Sequence, residues 1–175
     1  GLLDWLVPNP TLISTVFSFD GKSPIEGNFF ALLSSGVATN TYTTLSQDFT
    51  ANVRQTLSLN AFFRAGDYLP YNDDGYVRLI NKSTATPLMP FLFSQSVATV
   101  GNYGSTPWTN ISYTFQSSGS YRIEAAVRNV SDNAAESYLG LDKVVLQGVS
   151  VPEPASLALL GIGLIGIGFV RRRRG

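Results

Sequence analysis

The sequence predicts an all-β fold, an antiparallel β-sandwich of about eight or nine strands, followed by a single C-terminal transmembrane helix. Three observations carry that reading. Short runs rich in β-branched and aromatic residues recur between turn signals, several runs alternate apolar and polar residues with period two, and the last 25 residues change abruptly in character.

A leader at 1–12 holds Pro8 and Pro10, and the runs then lie at 13–19, 28–33, 42–50, 53–65, 75–80, 88–98, 108–115, 120–130 and 138–146. In the fourth run Val53, Leu57, Leu59, Ala61 and Phe63 fall on one face and Arg54, Thr56, Ser58, Asn60 and Arg64 on the other, because successive side chains of a strand point to opposite sides. That strand is expected to keep one face wet. Tyr121, Ile123, Ala125 and Val127 alternate in the same way with Arg122, Glu124 and Arg128, and Ile111, Tyr113 and Phe115 alternate with Ser112 and Thr114. Helical spacing does not produce this pattern. Asp20-Gly21, Asn72-Asp73-Asp74-Gly75, Gly101-Asn102-Tyr103-Gly104 and Ser117-Ser118-Gly119 punctuate the runs as turns. This many strands in about 135 residues suits two packed sheets such as a jelly roll.

Composition narrows the chemistry. The 175 residues contain no cysteine and no histidine, which removes disulfides, thiolate and imidazole metal ligands, and every serine–histidine triad. Aromatic residues make up 12% and charged residues 14%, too apolar for a disordered chain. Residues 1–150 carry 8 basic and 11 acidic groups, a mildly acidic balance that argues against a nucleic-acid surface. With Met89 the only methionine, Gly1 is not an initiator, which leaves room for an export signal upstream.

The first unit is therefore read as 1–150 and the tail as 151–175. Val151-Pro152-Glu153-Pro154 breaks any strand before it, since each proline fixes its own φ and removes a ladder donor. The 16 residues 155–170 carry no charge and only Ser156 as a polar side chain, and Arg171, Arg172, Arg173 and Arg174 follow at once. As a helix this stretch is about 24 Å long at ~1.5 Å per residue, slightly short of a ~30 Å hydrocarbon core, and arginine snorkelling covers the difference. The arginines are expected to stop transfer and stay cytoplasmic, which places the β domain on the far side of the membrane. A buried helix of a soluble protein is the competing reading, but such a helix normally shows a polar stripe. Gly161, Gly163 and Gly166 spell a dinucleotide fingerprint by chance, because no βαβ unit surrounds them.

Asp67, Asp73 and Asp74 flank a loop with Tyr68, Tyr71 and Asn72. It reads either as a calcium loop or saccharide contact, or as an Asn-Asp-Asp-Gly turn with tyrosines packed on the sandwich edge, and turn chemistry favours the second. Tyr68, Tyr71, Tyr103 and Trp108 are the candidate saccharide contacts, with Trp5 a further exposed-ligand candidate; burial in the core is the competing fate of these rings.

The tail carries a resemblance. Val151-Pro152-Glu153-Pro154-Ala155-Ser156, the apolar glycine-rich stretch and the terminal arginines, in that order, resemble the PEP-CTERM sorting signal of Gram-negative bacteria that make exopolysaccharide. The resemblance implies recognition by an exosortase at Pro152, Glu153 and Pro154, with the inner membrane as a transient anchor and the cell surface or extracellular matrix as destination. Residues 42–47, 65–75 and 137–142 resemble a β-sandwich that often precedes this signal and is similar to carbohydrate-binding jelly rolls. That likeness implies a structural calcium held between an early turn and the last strand, for which this chain offers Asp20, Glu26 and Asp142.

The leading expectation is thus an exported, non-catalytic surface or matrix protein associated with exopolysaccharide or biofilm. A carbohydrate-binding module with specific saccharide affinity is the alternative. A glycosidase using two carboxylates is the weakest of the three, because it needs an acid pair about 5–10 Å apart in a cleft.

Overall fold

The computed structural model describes residues 5–148. Nine strands run in chain order among them: β1 (Ile13–Val16), β2 (Phe30–Ser34), β3 (Thr43–Ala51), β4 (Thr56–Arg64), β5 (Asp74–Asn81), β6 (Thr86–Ser96), β7 (Thr109–Thr114), β8 (Gly119–Arg128) and β9 (Tyr138–Gln147), with one helical turn, α1 (Val97–Val100), between β6 and β7. Each predicted run holds one strand. The run expected at 88–98 ends early because Ser96 and Thr99 form a capping box that turns the chain into α1.

The strands form two antiparallel sheets, β1-β2-β9-β4-β7 and β3-β8-β5-β6. The nested pairings β2 with β9, β3 with β8, β4 with β7 and β5 with β6 are the successive rungs of one antiparallel ribbon wrapped around a core. Folding that ribbon over gives the jelly-roll order, and β1 extends the first sheet as an edge partner of β2. Edge strand β6 contains Pro87 and Pro90, where a missing ladder donor is tolerated.

The period-two pattern decides what lies between the sheets. Leu57, Leu59, Ala61 and Phe63 of β4 point inward, as do Val77 and Leu79 of β5 and Tyr121, Ile123, Ala125 and Val127 of β8; they pack with Leu33, Leu45, Phe115 and Leu139 in one continuous core. Each buried leucine or phenylalanine removed from water stabilises the fold by about 1.5–3 kcal/mol. Val53, placed by the alternation at the head of this face, instead lies exposed in the turn before β4.

The expectation of a wet outer face on β4 is corrected. Asn60 and Phe62 are buried there, and Phe62 joins Phe30 and Leu32 in a second apolar cluster flanked by Phe19, Trp108 and Tyr138. The covering element is the long β1–β2 connection, residues 17–29. Its Phe19 and Lys22 pair through reciprocal backbone hydrogen bonds of 3.0 and 2.9 Å, Lys22 Nζ sits 4.8 Å from the Phe62 ring centroid, and the amides of Ile25 and Glu26 reach Asp142 on β9.

The predicted spanning helix at 155–170, the Pro152-Glu153-Pro154 element and the arginines at 171–174 lie outside the described residues. Among the described residues no helix is long and apolar enough to cross a membrane.

Candidate functional site

Three connections interlock at one end of the sandwich: β4–β5 (65–73), α1–β7 (101–108) and β8–β9 (129–137). Ala65 N donates to Gly104 O and Tyr103 N to Asp67 O, both at 2.8 Å, and Leu69 N donates to Asn102 Oδ1 at 3.0 Å. Gly66 lies flush against the third connection, since a Cβ built there would meet Glu136 O at 1.8 Å. The backbone is therefore fixed from both sides.

Tyr68, Tyr71 and Tyr103 come together on this scaffold, with Tyr68 5.5 Å from Tyr71 and 5.8 Å from Tyr103 between ring centroids. Tyr68 and Tyr103 are 42% and 55% exposed, so the ordered turn carries tyrosines that reach solvent. Trp108 does not join them. Its ring packs edge-on against Phe62 at 4.6 Å and Phe30 at 5.2 Å, and its Nε1 donates to Ser23 O at 3.0 Å, which pins the β1–β2 connection to the sheet. Trp5 packs against the main core and lines a cleft at the seam between the sheets with Leu45, Gln47 and Asp142.

Beneath the tyrosines is a buried polar network. Asp73 accepts Val130 N at 2.8 Å and the Ser137 hydroxyl at 2.6 Å; the same hydroxyl accepts Gly66 N at 2.9 Å. Ser35 exchanges hydrogen bonds with Ser137 and donates its hydroxyl to Asn129. Asp67 and Asp73 are 2% and 0% exposed. Burial pushes both carboxyls above the usual range, and the negative charge of Asp132 pushes them the same way. Asp74 belongs elsewhere: its Oδ2 pairs with Arg128 at 2.8 Å and its Oδ1 accepts the Tyr42 hydroxyl at 2.5 Å.

Asp20, Glu26 and Asp142 are not gathered as metal ligands. Asp20 pairs with Lys22 at 2.9 Å and Arg64 at 3.7 Å; burial opposes the shift, but these partners hold its carboxyl below the usual range. Glu26 is exposed. Asp142 Oδ2 accepts the amides of Ile25 at 2.6 Å and Glu26 at 3.2 Å, so direct hydrogen bonds from the early turn already occupy that oxygen. Among the described residues no group of three or more Asp and Glu side chains is arranged to hold a metal ion.

The outer face of the four-stranded sheet is a surface that sequence reading missed. Glu124 accepts Tyr76 Oη at 2.9 Å and Arg78 Nε at 2.8 Å, Asp48 pairs with Arg122 and Lys82, and Tyr76 stacks on Phe91 at 5.1 Å with planes 15° apart. Burial and then Asp74 push the Tyr42 hydroxyl up to about 12, so it stays a donor at neutral pH. The signal was present in the alternation of Arg122, Glu124 and Arg128, but their partners are set by the pairings of β8 with β3 and β5.

Residues 150–174 match the PEP-CTERM protein-sorting motif. The chain thus carries an exported protein's sorting signal, processed at the C-terminus, directly behind the sandwich. No curated protein matches the chain. Among solved structures it is similar to TmCBM61 in complex with β-1,4-galactotriose, at 12% identity and TM-score 0.44 over 82% of this chain and 87% of that one. It is also similar to TmCBM27, described for specific mannan recognition, at 9% identity and TM-score 0.48 over 83% and 88% of the two chains. A third is the K3 cleaved adhesin domain of Lys-gingipain from Porphyromonas gingivalis, at 12% identity and TM-score 0.42 over 79% and 92%.

Proposed function

We propose that this chain is an exported, non-catalytic surface or extracellular-matrix protein. In this reading an exosortase recognises Pro152, Glu153 and Pro154 while the tail is held in the inner membrane, the tail is removed, and the sandwich joins the exopolysaccharide layer. The observation that carries it is the sorting motif at 150–174. The absence of histidine and cysteine from the sequence favours a non-catalytic role, since the usual bases and thiol nucleophiles are missing. In an exosortase-bearing host, replacing Pro152, Glu153 and Pro154 with alanine is expected to leave an unprocessed, membrane-associated precursor. If the variant, and a chain lacking 151–175, were exported, processed and retained at the surface like the parent, the proposal would be wrong.

A second reading is saccharide binding through the loop cluster, favoured by the exposed Tyr68 and Tyr103 rings on a fixed backbone. Sugars stack on aromatic faces, and convergent polar groups orient them. Titration with a panel of bacterial polysaccharides tests it: binding that weakens in Tyr68→Ala and Tyr103→Ala supports it, and no binding at millimolar saccharide dismisses it.

A further inference from the structure

Asp67 presents an unusual oxygen. Its Oδ1 accepts the amide of Tyr68 at 2.8 Å, but its Oδ2 is buried and has no hydrogen-bond partner among the described residues. A carboxylate oxygen stripped of water and given no donor is strongly unfavourable unless something positive faces it. Beyond burial, the charge that acts on Asp67 is another acid's: Asp132, from the β8–β9 connection, pushes the Asp67 carboxyl further up. Among the described residues Asp132 itself accepts one long hydrogen bond, from Ala134 N at 3.4 Å. Asp73 adds a third negative charge behind them, with one oxygen taken by Val130 N and the other by the Ser137 hydroxyl. None of the ion pairs among the described residues involves Asp67, Asp73 or Asp132.

The two connections thus bring like charges together, with neither acid paired to a lysine or arginine among the described residues. Gly66 has no room for a side chain against Glu136 O, and Ser131, next to Asp132, has a left-handed φ of 76°. We propose that the β4–β5 and β8–β9 connections bind a hard divalent cation, calcium by its preference for oxygen ligands, between the carboxylates of Asp67 and Asp132. Asp73 supplies negative charge from behind without coordinating. Calcium takes about six to eight oxygens, so carbonyl and water oxygens complete the shell. Zinc is disfavoured by a sequence without histidine or cysteine.

Only two carboxylates meet at this point, in keeping with the lack of a three-acid metal group among the described residues. The affinity expected is therefore that of weak extracellular calcium sites, on the order of 10⁻⁴–10⁻³ M. The site is separate from Asp142 and owes nothing to the saccharide reading. It lies under the tyrosines all the same, since Tyr68 follows Asp67 and Tyr103 N donates to Asp67 O at 2.8 Å.

The test uses the full chain in a non-ionic detergent, stripped of divalent ions with EDTA. Terbium is expected to give tyrosine-sensitised luminescence that calcium displaces and magnesium does not. Calcium at about 10 mM is expected to raise the melting temperature by roughly 4–8 °C. Asp67→Asn and Asp132→Asn are expected to remove the luminescence and the calcium shift. Asp67→Asn, whose amide can donate to Asp132, should still melt in EDTA at or above the parent's temperature, which separates loss of the site from loss of the fold. A calcium shift that survives in both variants overturns the proposal. So does a protein whose melting ignores calcium and EDTA but rises on acidification alone, because the two acids would then share a proton.

Discussion

Gly140 of β9 stands opposite Phe62 of β4 with no room for a side chain: a Cβ on residue 140 would lie 2.0 Å from the phenyl ring. The ring needs that space to reach Phe30, Phe19 and Trp108 on the outer face. Gly140→Ala is therefore expected to destabilise the fold by about 1–3 kcal/mol through overpacking. Phe62→Ala is expected to cost about 3–5 kcal/mol. Because both changes act on one contact, the double variant should be less destabilised than the sum, and urea unfolding of the four proteins measures the difference.

Trp108 supplies a second expectation. If its role is to pin the β1–β2 connection, Trp108→Ala lowers stability by about 3–5 kcal/mol and exposes residues 17–29 to faster amide hydrogen exchange. Polysaccharide affinity, where present, should be unchanged in the fraction that remains folded.

The acids of the loop end set an unusual pH response in calcium-free buffer. Asp67 and Asp73 have carboxyls raised by folding, so their contribution to stability is fully present below the unfolded carboxylate value and is lost as pH rises through their raised folded values. Asp48 acts oppositely. Hydrogen bonds from Arg122 and Lys82 hold it down to about 2, so its contribution is present above the unfolded value of about 4 and disappears as pH falls toward 2. Melting temperature is thus expected to rise as pH drops from neutral toward the carboxylate range, then fall in stronger acid. Asp67→Asn should flatten the first limb and leave the second intact.

The tyrosine cluster predicts a clean separation of binding from stability. Tyr103→Ala removes a largely exposed ring and should change unfolding free energy by less than about 1 kcal/mol. Under the saccharide reading it should weaken polysaccharide binding about tenfold, equivalent to ~1.4 kcal/mol, in isothermal titration.

The strands were legible because one face of each had to be apolar. Leu57, Leu59, Ala61 and Phe63 announce β4 by spacing alone, and Tyr121, Ile123, Ala125 and Val127 announce β8. What alternation cannot show is a second cover on the outside of a sheet. The uninterrupted run Ala61-Phe62-Phe63 was the trace of it, an apolar residue where a wet one was due. Tyr68 and Tyr71 were legible as neighbours because only two residues part them. Asp67 and Asp132 were not, since 65 positions separate them and only the folded ribbon brings their connections together.

The jelly-roll order has a mechanical consequence. β9 ends at Gln147, three residues before the sorting motif begins at 150; it pairs with β4 as far as Gln147 but with β2 only over Tyr138–Leu141. Tension applied through the tail along that strand loads the β4 ladder first and meets the β2 ladder only at the strand's inner end. Extracting the strand means breaking both ladders, the second of them deep in the sheet and far from the point of pull.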